Sequence, residues 1–127
     1  MYALRFNNNA VYIGQTVDLK RRENQHRSAA GGWKTEFEFI PLESVTGTKE
    51  ELEHHEFAWR YVAQCNGHVV YGKPPNIIVN PAKKLTWERR RLVKQKAWTI
   101  RKKHNHTWSW ATASAVVALG LALWMLL

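Results

Sequence analysis

The sequence predicts an α+β domain, a small sheet with helices packed against it, and three observations carry that prediction. Two strand-like runs lie back to back around Asn7, Asn8 and Asn9. Two helix starts stand out, at Asp18 and at Thr48. Between them Glu36, Phe37, Glu38 and Phe39 alternate with the period of two that a half-buried strand requires.

Each element has a local cause. Residues 2–6 alternate bulky with small or polar side chains, as one strand of a hairpin does. Asparagine tolerates left-handed geometry better than any residue but glycine, so residues 7–9 make the turn and residues 10–14 the returning strand. Asp18 is placed to cap a helix running to about residue 28, with Leu19, Arg22 and His26 on one face. Ala29, Ala30, Gly31 and Gly32 break it, and a third strand over residues 33–40 stops at Pro41. Thr48 and Glu51 have the spacing of a capping box, which opens a second helix ending at Asn66 and Gly67. Residues 71–79 read as irregular, with Pro74 and Pro75 at their centre. Asn80 and Pro81 then look like the cap and first position of a third helix reaching about residue 104. The order is β-β-α-β-α-α, with no internal repeat.

A chain of 127 residues holds one small domain and an appendage rather than two cores. The single cysteine, Cys65, excludes an intramolecular disulfide, and with it the disulfide-stapled secreted scaffolds. A reducing, cytoplasmic setting fits the folded part. The first fourteen residues, strand-like with Arg5 in their middle, do not read as a signal peptide.

The formal net charge of +9 is unevenly placed. Residues 1–82 hold nine basic and nine acidic side chains, whereas residues 83–103 hold ten basic ones against Glu88 alone. That short segment is an address for polyanions, either DNA phosphates or anionic lipid headgroups. Beyond it, residues 108–127 carry no charge and, as a helix, would be long enough for the hydrocarbon core of a bilayer. Trp108, Trp110 and Trp124 stand near its ends, as interfacial aromatics do. Three segments result: a domain over 1–80, a basic helical linker over 81–107, and a transmembrane or membrane-inserted helix over 108–127. A single pass with the N-terminal domain in the cytoplasm follows from the basic run. The competing reading of the tail is a core or oligomerisation helix, which a domain this small could hardly cover.

Two features carry chemistry. Leu52, Glu56, Trp59 and Ala63 share one stripe of the second helix, so a carboxylate lies among core-facing residues and needs a partner. That partner is either a structural arginine or a functional cation. Arg22 and His26 stand one turn apart beside the tyrosine-bearing end of a strand, as a solvated basic face or as part of a site.

Taken together, Tyr12-Ile13-Gly14, Arg22 and His26 resemble the GIY-YIG nuclease family, in which a strand ending tyrosine–aliphatic–glycine feeds a helix bearing arginine and histidine at these offsets. The match runs nearly unbroken over residues 11–26. Tyr2 falls where the tyrosine of the family's first motif is expected, although the glycine and isoleucine of that motif are missing before it. Glu56 falls where the family carries its metal-binding glutamate, and Asn76 or Asn80 is the late asparagine, with Asn80 already accounted for as a cap.

The resemblance implies a metal-dependent endonuclease that hydrolyses DNA phosphodiester bonds with Mg2+, Mn2+ being able to stand in. It gives Tyr12 the part of general base or water-orienting group and Tyr2 that of its hydrogen-bonding support. Arg22 would stabilise the phosphate, His26 assist proton transfer or grip the phosphate, Glu56 ligate the metal, and Asn76 brace the site. Elementary chemistry agrees, since phosphodiester hydrolysis needs an activated water and charge stabilisation at phosphorus. Arg21, Lys83, Lys84, Arg89, Arg90 and Arg91 are the candidate contacts to DNA. The alternatives are a membrane-anchored DNA-binding protein whose nuclease fold no longer cuts, and a membrane-active basic peptide. The pairs His54-His55 and His104/His106 read as solvated side chains.

Overall fold

In a computed structural model, residues 1–103 are described. Strands β1 (Tyr2–Phe6) and β2 (Val11–Gly14) form the expected hairpin, and Asn9 takes the left-handed conformation, φ 66°. Helix α1 (Leu19–Arg27) is capped by Asp18, whose carboxylate accepts the Arg21 amide. Strand β3 (Phe37–Pro41) pairs antiparallel with β1 and lies at the sheet edge, where Pro41 interrupts no inner ladder. Helix α2 (Lys49–Cys65) starts at Thr48, whose hydroxyl accepts the Glu51 amide, and Gly67 follows its end at φ 85°.

Two strands were not foreseen. Strand β4 (Val70–Lys73) runs parallel to β2, and β5 (Ile77–Val79) pairs back on β4, so the sheet order is β3-β1-β2-β4-β5. The stretch that reads as irregular is thus a second hairpin. Its strands are too short to show a period, and Gly72 and the prolines mask them.

The third helix is a correction to the sequence reading. Asn80 does cap a turn, accepting the Ala82 amide, but that turn is a short 3-10 helix over Pro81–Lys84. Helix α3 (Trp87–Val93), capped by Thr86, spans only seven residues and packs on α2. The chain turns out of the helix at residues 94–95, and the segment to residue 103 crosses the domain as a strap. Ile100 enters the core, Trp98 donates to His68 Nε2, and the Arg101 carbonyl accepts from Arg5. The basic segment has no apolar repeat to sustain a long helix, and the extended strap lets Ile100 bury in the core with Trp98 packed against it. Among the described residues no helix is long and apolar enough to cross a membrane, and the tail at 108–127 lies outside the described residues.

The sheet buries both faces. Ala3, Val11, Ile13 and Val70 meet Trp59 and Ala63 of α2 on one side, with Ile100 of the strap. On the other, Tyr2, Leu4, Phe6 and Tyr71 pack with Tyr12, Trp33, Phe37 and Phe39. The period of two along β1 and β2 makes this split, and it puts Tyr2 and Tyr12 on the same, aromatic face.

Candidate functional site

Gly14 lies opposite Tyr2 in the hairpin register, and the Tyr2 ring end rests on it. A Cβ at position 14 would collide with Tyr2 Oη and Cζ, so glycine here is a packing requirement of the tyrosine above it. The Tyr2 ring stacks on Phe39 and is wholly buried, and its hydroxyl is the hub of the site. Arg22 Nε donates to it at 3.0 Å, and His26 Nε2 lies 2.7 Å away. Tyr12 completes the group, edge-on to His26 with ring centroids 5.4 Å apart. Arg22 and His26 do share the inner face of α1, but the helix is turned so that Leu19 is exposed rather than buried with them.

The electrostatics follow from burial. Desolvation pushes the Tyr2 hydroxyl well above the ordinary tyrosine range, against the opposing pull of Arg22, so it stays protonated. Burial, helped by the Arg22 charge, holds His26 down at about 4, so its ring is neutral at pH 7. Arg22, raised chiefly by its bond to Tyr2, also donates to the Gln25 side chain at 3.1 Å. Among the described residues it makes no ion pair. A half-buried guanidinium held by neutral groups at the mouth of a groove is a site with a charge still to be matched. The groove, about 430 Å³, is lined by Tyr12, Arg22, Gln25 and His26 together with Ala30, Gly31 and Pro74. Gly32, at φ 78°, lets that loop lie close against Pro74.

Glu56 stands apart from this cluster. It lies on α2, across the sheet from Tyr2, and one carboxylate oxygen pairs with Arg60 one turn on. Its other oxygen accepts from Gln15 at 2.7 Å. Gln15 is the residue after Gly14, so the link between carboxylate and tyrosine motif runs through the end of β2. The structural partner that the sequence left open is therefore Arg60. Glu56 is nevertheless a hard oxygen donor with a partly exposed side chain, suited to a magnesium that keeps most of its waters, provided one oxygen is freed. Among the described residues no group of three or more His, Cys, Asp or Glu side chains is arranged to hold a metal ion, so a metal at Glu56 would take its other ligands from water and substrate.

The remaining candidates divide. Asn76 is exposed in the β4–β5 turn at φ 66°, a turn conformation, next but one to the Pro74 that walls the groove. Asn80 is occupied as a cap and by Gln64. Arg21 is exposed on the outer face of α1. Lys83 and Lys84 are exposed, whereas Arg89 is engaged internally, lying 4.2 Å over the Phe57 ring and donating to His54 and the Lys84 carbonyl. Arg90 and Arg91 are free of such duties and border, with the exposed Trp87 and Tyr61, a larger groove between α2 and α3.

Three residues of the site escaped the sequence reading: Gln15, Gln25 and Trp33. Gln15 sits inside the matched 11–26 stretch, so its place was a signal. Trp33, which donates to His26 Nδ1 at 3.0 Å, is not part of β3 at all and had no local signature beyond following two glycines.

Residues 1–63 match the family described as the GIY-YIG catalytic domain. The chain is 33% identical over 93 residues to a UPF0213 protein of Vibrio campbellii (strain ATCC BAA-1116), covering 58% of this chain and 89% of that relative. No solved structure matches the chain.

Proposed function

Because this chain belongs to the GIY-YIG nuclease family, we propose that it is a DNA endonuclease hydrolysing phosphodiester bonds in the groove beside Tyr12, with a divalent metal. One observation carries the reading: Arg22 is anchored by Tyr2 and Gln25 at that groove, with no anionic partner among the described residues. A phosphodiester matches such a guanidinium in charge and in donor geometry.

The residues divide the work. Arg22 holds the scissile phosphate and stabilises the charge that builds on it. Tyr12 orients the attacking water and accepts a hydrogen bond from it. Tyr2, protonated throughout, anchors Arg22 and faces Tyr12. His26, neutral at pH 7, supports Tyr2 and is no cationic clamp on phosphate. Glu56 would hold Mg2+ or Mn2+ once an oxygen is released from Arg60 or Gln15, and the bound ion would supply Lewis-acid stabilisation of the phosphate oxygens. The exposed Lys83, Lys84, Arg90 and Arg91 supply the general attraction for DNA that the neutral remainder of the domain lacks. The uncharged run at 108–127 supports attachment of the enzyme to a bilayer.

A second reading, a DNA-binding domain that does not cut, is favoured by Glu56 having both oxygens engaged by protein donors. Incubating the full chain with supercoiled plasmid, with and without magnesium, separates the two. The nuclease reading expects relaxed or linear product only with metal, and its loss in Glu56→Ala while DNA retention persists. Cleavage by Glu56→Ala at the wild-type rate would remove Glu56 from the site.

A further inference from the structure

His26 touches two partners, and one of them dictates where its proton sits. Trp33 Nε1 lies 3.0 Å from His26 Nδ1, in donor geometry. An indole N–H can only donate, so Nδ1 must accept and carries no hydrogen. The ring is buried and neutral, so its single proton is on Nε2. Nε2 lies 2.7 Å from Tyr2 Oη and therefore donates to it.

The consequence passes along the chain of contacts. Tyr2 Oη receives two hydrogen bonds, from His26 Nε2 and from Arg22 Nε at 3.0 Å. A phenolic oxygen accepts about two such bonds and gives one. With both acceptor positions filled, the Tyr2 proton has to leave the His26–Arg22 side. Tyr12 is the neighbour of Tyr2 on the aromatic face, with ring centres 6.3 Å apart. Three groups thus donate in a single direction: Trp33 to His26, His26 to Tyr2, and Tyr2 away from both His26 and Arg22.

We propose that Trp33 is a positioning residue that fixes His26 in its Nε2–H tautomer and so sets the direction of the hydrogen-bond chain that runs through His26 to Tyr2. In an isolated imidazole either nitrogen can carry the proton. The opposite tautomer would set two N–H groups against each other at Trp33 and would turn the Tyr2 hydroxyl back toward His26. Trp33 touches neither substrate nor reacting atoms in this scheme. Its other contacts, with Phe6, Tyr12 and Tyr71, are ring packing that phenylalanine can largely keep. Only the catalytic meaning rests on the nuclease reading; the tautomer does not.

The test is nitrogen-15 NMR of the histidine rings in the full chain, with the His26 signals identified by their loss in His26→Gln. The wild type should show His26 as a single Nε2–H tautomer from pH 8 down to about pH 5. In Trp33→Phe, checked for an unchanged backbone spectrum, the two nitrogens should move toward a mixture of tautomers, and the ring should titrate at higher pH. The same variant should lose about tenfold or more in cleavage turnover with KM little changed, about 1.4 kcal/mol of transition-state stabilisation. A wild-type His26 protonated on Nδ1 overturns the proposal without any variant, as does an unchanged tautomer in Trp33→Phe. If neither protein cuts DNA while the tautomer shifts as described, the nuclease reading fails and the positioning role of Trp33 stands.

Discussion

The two faces of the sheet each bury a polar cluster around a cation, and the clusters differ in how that cation is matched. On the α2 face Lys96, its side chain 2% exposed, pairs with Glu43 at 2.6 Å and donates to His55 Nδ1 at 2.7 Å. Trp59 both donates to the same Glu43 oxygen and lies under the ammonium. Burial alone would raise the Glu43 carboxyl, yet the bonds from Lys96 and Trp59 hold it below its ordinary range. Burial and the neighbouring Lys96 charge push His55 down. On the aromatic face Arg22 is held as firmly, but by a phenol and an amide, and it opens on a groove. The contrast is instructive. A charge answered inside the protein pins the fold, here by fastening the strap of residues 94–103 to the domain. A charge held in place but left unanswered is prepared for a ligand.

The comparison breaks if the two cations can exchange roles. Arg22→Ala should be the larger effect, cutting cleavage turnover by roughly 10²–10³-fold with DNA affinity little changed, since the contact strengthens as charge develops on phosphorus. A rise in KM with turnover intact would make Arg22 a docking residue. Lys96→Ala should do the reverse, costing about 2–3 kcal/mol of stability in a denaturant titration while leaving turnover of the folded protein alone. That figure sits below the loss from a fully enclosed pair because Glu43 keeps 34% of its side chain open to solvent.

What the sequence disclosed, and what it hid, follows the same division. Signals confined to a few neighbours were readable: the Asn7–Asn9 turn, the Asp18 and Thr48 caps, and the pairing of Arg22 with His26 along one helix. The tyrosine motif also placed Tyr2, Tyr12 and Gly14, because one hairpin register fixes all three. Features that need distant partners were not readable. Strand β4 exists because β2 offers it a parallel neighbour, and the strap is extended because His68, Asn9 and the core receive it. Glu56 could be picked out as a carboxylate on an apolar stripe, but whether Arg60 or a metal answers it is a matter of side-chain geometry that spacing does not encode. Trp33 was invisible for the same reason.

A smaller effect sharpens the picture of the aromatic face. His26 titrates near 4 in the folded protein and near 6.5 in an unfolded chain, so between those values the unfolded state binds a proton that the folded state refuses. Its contribution to stability is therefore complete above about pH 6.5 and is lost as pH falls toward 4. Denaturation midpoints of the wild type and His26→Gln, followed from pH 7 to pH 4, should converge; parallel curves would mean that His26 is not held neutral. Smaller still should be the effect of replacing Arg90 and Arg91 with glutamine. Their loss should flatten the salt dependence of DNA binding by up to about 0.9 log unit per phosphate contact, with turnover unchanged. An unchanged slope would leave the α3 face without a part in binding DNA.

If a phosphodiester is cut in the groove beside Arg22, Tyr12→Phe, which removes a single oxygen, should show it. The measurement is the single-turnover rate of plasmid cleavage in magnesium, taken with DNA affinity and the unfolding midpoint for both proteins. The expected rate is at least about 100-fold lower, in line with the loss of a group positioned on the attacking water, with affinity and midpoint unchanged. Cleavage by Tyr12→Phe at the wild-type rate would contradict it.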